Sequence, residues 1–533
     1  MTKLDIIFSG GRVVDGTGSP PFRADVGIAG GRVREIGDLA GAPAGRRIDI
    51  RGQLLSPGFV DMHTHSDLQL LAFPRSEPKV MQGVTTEVIG QDGLSFAPAD
   101  ARTMATVRER TVAWNGEHAG ITWGWSSVAE YLSQFDGRTS VNVAYLVPHG
   151  TVRILVMGDE NRAPTAGELA EMRTQVRQGM AEGAVGLSTG LSYPPAMFAD
   201  TEELVALCEE TATCGGYFAP HHRSYGKGAL DSYAEMIGVA RRAGIAVHFT
   251  HCVMNFPCNE GRGRELVAMI DALDPAEVEV TADAYPYLAG STSLASLLPP
   301  WTSVGGTQAT LAALADAAKA ARIRREMEVE GTAGYHFLPI AWDTVAISAV
   351  ETEANQRWVG KRVTEMAAAQ GVENFEAARR LLVEERLNVN IILHVGHEEN
   401  VRAIIQQPWL MAGSDGIMTG TRPHPRSWGT FARFLGKYAR EEGLFRVEEI
   451  VRRMTSLPQR RLGQWDRGIV RPGFWADLVV FDPATVRDTA TYEDPKRFPE
   501  GIPYVMVNGT LVKDEGAHTG AAAGRALHLG ARS

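Results

Sequence analysis

Cysteine, long apolar runs and a basic excess are all scarce in this sequence. Its 533 residues include four cysteines, too few for a disulfide framework in a chain of this length. No stretch approaches the ~18 uninterrupted apolar residues of a membrane span, and the apolar run at the start is too short to predict a signal peptide. A net charge of −10 without a basic stripe argues against a nucleic-acid partner. We therefore expect a cytoplasmic protein that binds neither nucleic acid nor membranes.

The two ends of the chain share one pattern. Residues 4–56 alternate short β-like runs with glycine-rich turns, and the C-terminal region repeats this style, with a hairpin turn at Asn508-Gly509. Because chain termini often lie close together, both ends are expected to form one small β domain. Its predicted limits are residues 1–56 plus 467–533.

Between the ends, apolar β-like segments alternate with helical ones such as 201–213 and 230–243. Eight segments qualify as strands: 57–63, 84–90, 141–147, 184–189, 217–221, 245–251, 278–284 and 409–414. This pattern predicts an α/β fold, a (β/α)8 TIM-like barrel over residues 57–466. A segment at about 289–350 is too long for a plain loop and is expected to form a lid-like insertion. Residues 514–533, rich in glycine and alanine, are expected to form a loose tail.

Candidate metal ligands recur where these predicted strands end. The first strand ends in His-Thr-His, and because residues i and i+2 of a strand share a face, both imidazoles can point at one place. In such barrels, reactive groups collect at the carboxyl ends of the strands. Four imidazoles and two carboxylates are therefore expected at one rim: His63, His65, Asp92, His221, His251 and Asp415. This donor set suits one or two divalent metal ions, with zinc favoured by the ligand type.

Longer motifs resemble the amidohydrolase superfamily, and within it the N-acyl-D-amino-acid deacylase (D-aminoacylase) branch. They run through nearly the whole chain: Ser-Pro-Gly-Phe-Val-Asp-Met-His-Thr-His (56–65), Gly-Val-Thr-Thr-Glu-Val-Ile-Gly (83–90), Glu-Gly-Ala-Val-Gly-Leu-Ser-Thr-Gly-Leu-Ser-Tyr-Pro-Pro (182–195), Asp-Ala-Tyr-Pro-Tyr (283–287), Gly-Ser-Asp-Gly (413–416), His-Pro-Arg (424–426) and Met-Thr-Ser-Leu-Pro (454–458). The resemblance implies a metal-dependent barrel with a small β-sandwich domain formed by both termini. It also implies a metal site made of His63, His65, His221, His251 and Asp415.

Two positions depart from the branch. It typically carries Asn-Cys-Gly, whose cysteine can bridge two metals, where this chain has Gln91-Asp92-Gly93. A carboxylate is a harder donor that can also bridge, so manganese becomes an alternative to zinc; the other interpretation is that Asp92 is a turn residue and the second metal site is lost. The branch also usually has a lysine two residues beyond the strand-6 histidine, where this chain has Val253. This change weakens the expectation of a free α-carboxylate on the substrate.

The predicted function is hydrolysis of a carbon–nitrogen amide bond, most simply in an N-acyl-D-amino acid or a related N-acyl amide. A metal-activated water would attack the carbonyl carbon, with Asp415 as general base and then acid. Arg426 resembles the family position that binds a substrate carboxylate, and its planar fork suits that task. Tyr193 and Tyr287 follow strands 4 and 7 and His149 follows strand 3, so all three are candidate substrate-binding residues.

Two other functions stay open. The first is a cyclic amide or imide hydrolase, similar to dihydroorotase or hydantoinase; these relatives usually bridge their metals with a modified strand-4 lysine, which residues 184–189 lack. The second is a non-catalytic interaction protein on an amidohydrolase fold, which such relatives reach by losing metal ligands. The sequence leaves open the acyl and amine groups, the D or L preference, the number and identity of the metals, and whether the chain forms a homo-oligomer.

Overall fold

The central element is a sheet of eight parallel strands that curls into a barrel. A computed structural model describes residues 3–530. Its barrel strands, β1 to β8 in chain order, are Phe59–Asp61, Val84–Ile89, Asn142–Pro148, Gly186–Gly190, Tyr217–His221, Ala246–Phe249, Val280–Ala284 and Leu410–Ala412. Neighbours in sequence are neighbours in the sheet throughout. The (β/α)8 prediction is confirmed, and each strand lies within two residues of a predicted segment at either end or inside it.

The barrel closes between its first and last strands. The Met62 N–H donates to the Ala412 carbonyl at 3.2 Å, and the His65 N–H donates to the Gly416 carbonyl at 3.0 Å. The strands are buried on both faces, as parallel strands covered by helices are. The two ends of the ring therefore meet at the segments that carry His63, His65 and Asp415.

Helices cover the outside of the barrel, and local sequence signals fix their ends. The helix Thr201–Thr213 begins after Asp200, whose carboxylate accepts the Glu203 N–H. The helix Ala229–Ala243 ends at Gly244, which has a φ of 64°. The other outer helices of at least eight residues are Ala101–Asn115, His149–Met157, Ala166–Ala181, Gly263–Asp271, Glu398–Ile405, Arg426–Arg433 and Val447–Met454. No helix in residues 3–530 combines the length and apolar character needed to cross a bilayer.

Both termini contribute to two further sheets that pack face to face. A four-stranded sheet contains Leu4–Ser9, Asp25–Ala29, Arg32–Gly37 and Ala44–Asp49, and a seven-stranded sheet joins Leu54–Pro57 to C-terminal strands Leu478–Phe481, Tyr504–Val507 and Thr510–Asp514. Their inner faces share a core that includes Phe8, Ile28, Leu55 and Val480. This is the β-sandwich that the sequence predicted from both ends of the chain. Its exact limits, which include Met1 and Thr2 outside the described residues, stay a prediction.

An insertion between β7 and β8 has its own core. Three antiparallel strands, Gly290–Ser293, Val345–Ala349 and Asn390–Leu393, pack with helices Gly306–Ala315, Ala317–Arg325, Val363–Gln370 and Asn374–Glu384. Their separate hydrophobic cluster continues to Val395, beyond the predicted end at about residue 350. The middle strand of this sheet comes last in the chain, so the sheet is complete only when residues 390–393 have joined it.

The end of the chain is not a loose tail as far as the structure describes it. Residues 521–530 pass beneath the barrel, where Ala526 bridges Val143 and the Leu527 N–H donates to the Val143 carbonyl at 2.7 Å. The Leu527 side chain packs with Val60 and Leu146 at the amino-terminal end of the barrel. The loose-tail prediction is therefore wrong here, because small residues let this backbone approach β3 closely; residues 531–533 lie outside the described range.

Replacing Leu527 by alanine should lower the free energy of unfolding by about 2–5 kcal/mol, because the change removes a buried side chain and leaves a cavity. Urea unfolding followed by tryptophan fluorescence measures this. Leu288→Ala is the matched control, since Leu288 is 39% exposed, and it should stay within about 0.5 kcal/mol of the parent. Equal unfolding midpoints for both variants would show that the tail does not stabilise the barrel.

Candidate metal centre

The carboxyl ends of five barrel strands bring the predicted ligands together. The ligands follow β1, β2, β6 and β8 within four residues, and one is the last residue of β5. All are at most 7% exposed: His63, His65, Asp92, His221, His251 and Asp415. Fully buried imidazoles and carboxylates are costly unless they are paired or bind a metal.

Asp92 lies in the middle of the group. Its Oδ1 is 3.6 Å from His63 Nε2, and its Oδ2 is 3.2 Å from His221 Nδ1. The same Oδ2 lies 3.6 Å from His65 Nε2 and 3.7 Å from His251 Nε2. The two oxygens of one carboxylate thus face different imidazoles.

One carboxylate oxygen of Asp415 faces the histidine cluster, and the other faces the guanidinium group of Arg426. Its Oδ1 lies 3.2 Å from His65 Nε2 and 3.6 Å from His63 Nε2. Its Oδ2 lies 2.8 Å from Nη1 of Arg426, which is fully buried. Burial raises the pKa of the Asp415 carboxyl, but Arg426 and His63 outweigh this and hold that pKa below its ordinary value. The carboxyl group is therefore ionised at neutral pH.

The separations fit ligands around a cation. Four donors at ~2.0–2.1 Å from a tetrahedral ion lie about 3.3–3.4 Å from one another, and the distances above fall around that value. Two overlapping sets have ligand atoms within 4.8 Å of each other: His63, His65 and Asp415, and His63, Asp92 and His251. Both ring nitrogens of His63 and Oδ1 of Asp92 have no hydrogen-bond partner among residues 3–530. Unpartnered buried donor atoms of this kind fit one or two divalent ions.

Backbone conformation also sets these residues apart. Asp92, His251 and Asp415 have φ values of 54°, 35° and 48°. Such left-handed conformations cost a non-glycine residue about 1–3 kcal/mol and persist where the surroundings enforce them, often at functional sites. Three of the six candidate ligands are thus held in backbone conformations that non-glycine residues do not favour.

The electrostatic field at the cluster favours a cation. Burial lowers the pKa of His63, yet Asp415, Asp283 and Asp92 together raise it to about 9. The pKa of Asp92 is held well below its ordinary value, since His221 and His63 outweigh the opposing effect of burial. The carboxylates therefore attract positive charge into the buried cluster.

Two residues that the sequence analysis did not assign contact the candidate ligands on the side away from the cluster. Ser192 Oγ is hydrogen-bonded to His221 Nε2 at 2.6 Å, which leaves Nδ1 for the cluster. Asp283 accepts the His251 N–H at 3.0 Å and lies 3.6 Å from His63 Nδ1. Both carry a signal that could have identified them: Asp283 lies near the end of β7 in Asp-Ala-Tyr-Pro-Tyr, and Ser192 follows β4 by two residues within the motif of residues 182–195.

The four predicted substrate residues divide into two pairs. Arg426 contacts Asp415, and Tyr193 packs its ring 4.8 Å from the His221 ring, between centroids. The Tyr193 hydroxyl also lies 3.2 Å from Thr292 Oγ1 of the insertion. The structure therefore brings Arg426 and Tyr193 to the cluster.

It does not bring Tyr287 or His149 there. Tyr287 packs against His424, and the Arg433 guanidinium lies 4.8 Å from its ring centroid. His149 Nε2 is 2.7 Å from Glu203 Oε1, on the helix Thr201–Thr213. Each follows a strand, as expected, but each turns outward to a charged partner on a helix, which position in the sequence does not reveal.

Comparison with known proteins agrees with this geometry. The sequence matches the amidohydrolase family profile over residues 46–513. The chain belongs to the amidohydrolase family. A D-aminoacylase of Alcaligenes xylosoxydans xylosoxydans is 37% identical over 526 residues, which cover 98% of this chain and 97% of that protein.

Two solved structures are similar over almost all of this amidohydrolase. An N-acyl-D-glutamate deacylase of Bordetella bronchiseptica, in complex with zinc and a phosphonate mimic of the tetrahedral intermediate, has 34% identity and a TM-score of 0.83, covering 99% of this chain and 100% of that one. A D-aminoacylase with a binuclear metal centre has 36% identity and a TM-score of 0.83, covering 98% and 100%. The family resemblance drawn from the motifs is confirmed.

Adding Zn²⁺ to metal-depleted protein should raise its melting temperature, because binding to the folded state alone adds about 2.7 kcal/mol at 100 times Kd. His63→Asn should remove most of this rise, since His63 belongs to both candidate ligand sets. His149→Asn is the matched control, because it changes a buried histidine paired with Glu203 and should keep the full rise. Differential scanning fluorimetry measures all three. A full rise in His63→Asn would contradict the site.

Proposed function

We propose that this amidohydrolase is a divalent-metal-dependent deacylase that cleaves the amide bond of N-acyl-D-amino acids or related N-acyl amides. The observation that carries the proposal is the convergence of six buried candidate ligands at the barrel mouth, two of which, His63 and Asp92, have unpartnered atoms. Relatives that are alike over almost the whole chain are named D-aminoacylase and N-acyl-D-glutamate deacylase. The presence of all six ligands also argues against a non-catalytic interaction protein.

Zinc is the proposed cofactor, held by ligands drawn from His63, His65, Asp92, His221, His251 and Asp415. Four imidazoles and two carboxylates suit zinc, and manganese stays the alternative because no thiolate contributes. When bound, such a cation supplies Lewis acidity that polarises a carbonyl and lowers the pKa of water.

Asp415 is the proposed general base and acid. Its Oδ1 faces the cluster, so it can accept the proton of the attacking water and then deliver it to the leaving nitrogen. Arg426 holds Oδ2 at 2.8 Å and keeps the carboxyl group ionised before the reaction. The products are a carboxylate and an amine.

Arg426 and Tyr193 are the proposed substrate-binding residues. The Nε of Arg426 is buried and has no hydrogen-bond partner among the described residues, so a substrate carboxylate or carbonyl that reached it would supply the missing acceptor. A cavity adjoins the cluster through Ser192 and Tyr193, and its walls are largely apolar: Leu94, Trp114, Met197, Leu298 and Pro299. Its Arg110 is neutralised by Asp159 at 2.7 Å. This lining favours an uncharged, apolar group on the substrate.

We also propose that the protein acts on small molecules in the cytoplasm. Its four cysteines, Cys208, Cys214, Cys252 and Cys258, are all free. Free thiols are typical of a reducing compartment.

A hydrolysis screen of the zinc-loaded protein tests the function. N-acetyl-D-leucine should be cleaved faster than N-acetyl-D-glutamate and faster than N-acetyl-L-leucine, because the cavity is largely apolar, with Glu109 also in its wall, and the relatives are named for D-amino acids. Release of the amine, followed by ninhydrin, gives the rates. Carboxylate-free amides and cyclic imides complete the panel, and activity on cyclic imides alone would support the cyclic-amide alternative instead.

Asp415→Asn should lower kcat by about 10²- to 10⁴-fold, because asparagine keeps the shape of the side chain but cannot accept a proton. Steady-state kinetics at saturating Zn²⁺ measure this, and circular dichroism checks the fold. Asp231→Asn, on the exposed side of the helix Ala229–Ala243, should match the parent enzyme. A kcat for Asp415→Asn within threefold of the parent would refute the assigned role.

A further inference from the structure

Lys79 is a fully buried lysine that the proposed chemistry does not use. It lies in the short helix Glu77–Val80 and is 0% exposed. A buried ammonium group is costly unless it is paired and hydrogen-bonded. Its Nζ lies 2.6 Å from Asp61 Oδ2 and 2.5 Å from Ser414 Oγ.

The two partners of Lys79 belong to the first and the last barrel strands. Asp61 is the final residue of β1, and Ser414 follows β8. Asp61 Oδ1 accepts the Ser414 N–H at 2.8 Å, and Asp61 Oδ2 accepts the Ser414 hydroxyl at 2.6 Å. The ammonium group, one carboxylate and one hydroxyl therefore tie the two ends of the barrel sheet together.

Both tied segments carry proposed metal-site residues. The Asp61 carboxylate also accepts the His63 N–H at 3.3 Å, and the Asp415 N–H donates to the His63 carbonyl at 2.7 Å. Asp415 follows Ser414 directly and has a φ of 48°. Since a non-glycine residue keeps this conformation only under constraint, the contacts of Ser414 are placed to provide it.

We propose that Lys79 is a positioning residue, which acts through Asp61 and Ser414 to hold His63 and Asp415 in register. The proposal rests on the proposed function, because it assigns Lys79 a part in the geometry of that same site. Replacing a lysine that only filled the core would lower stability alone. Replacing a positioning residue would also weaken metal binding and lower turnover.

The test compares Lys79→Met with Lys513→Met. Methionine has similar length and no charge. Lys513, in the β-sandwich, is also buried at 2% exposed, and among residues 3–530 its ammonium group donates to the Met81 carbonyl at 3.2 Å. Lys79→Met should bind Co²⁺, followed by its visible absorption, about 10- to 100-fold more weakly. At saturating metal its kcat for N-acetyl-D-leucine should fall by a similar factor, with KM within about threefold. Lys513→Met should change neither quantity.

Ser414→Ala guards against misfolding of the lysine variant. It keeps the Lys79–Asp61 ion pair and removes only the hydroxyl, so it should show a smaller loss of the same kind: weaker Co²⁺ binding and lower kcat with little change in KM. Unchanged Co²⁺ affinity in folded Lys79→Met or, if that variant does not fold, in Ser414→Ala overturns the proposal. Because Co²⁺ affinity is read without a substrate, a parent protein that binds the metal but cleaves no amide would refute the proposed function and still decide the role of Lys79.

Discussion

The buried imidazole of His63 is the constraint on which the rest of the site depends. It is 0% exposed, and neither ring nitrogen has a hydrogen-bond partner within residues 3–530. Leaving a polar group buried and unpaired costs about 1–3 kcal/mol, and more for a charged one. Three carboxylates lie 3.6 Å from the ring nitrogens, beyond hydrogen-bonding distance: Asp92 and Asp415 face Nε2, and Asp283 faces Nδ1. As proposed, a divalent cation held by His63 Nε2, Asp92 and Asp415 would give this ring nitrogen and both carboxylates a partner.

The barrel brings the candidate ligands to one rim, and the loops hold some of them in left-handed backbone conformations. Parallel strands end at one rim, so side chains from distant parts of the sequence approach one another without long-range signals between them. The final orientation of these side chains depends on residues with a left-handed backbone conformation, such as Asp92 and Asp415, which lie in loops after β2 and β8. Closure of the sheet between β1 and β8 then fixes His63 against Asp415 through a 2.7 Å backbone hydrogen bond. The contacts that close the barrel therefore also position His63 and Asp415.

The repetitive part of the structure was predictable from the sequence, and the exceptions are local. Alternating apolar and helical segments located all eight strands. The rule that reactive groups collect at strand ends brought the six candidate ligands together, because both patterns follow from sequence periodicity and sheet topology. The same rule does not reveal where Tyr287 and His149 point, because their partners Arg433 and Glu203 lie on helices far away in the chain. The packing of Leu527 beneath the barrel was missed for a related reason: a Gly- and Ala-rich segment has no periodic signal, although its small side chains permit close backbone contact.

Asp92 shows what a single departure from a family pattern can mean. A thiolate at this position would present one atom to all surrounding imidazoles. The carboxylate presents Oδ1 to His63 and Oδ2 to His221, with each oxygen near a different part of the cluster. If Asp92 is a metal ligand, as proposed, the donor set consists only of nitrogen and oxygen. Such a donor set favours soft ions less than a set with a thiolate does. The choice of metal therefore depends on the geometry that the loops impose and on metal supply.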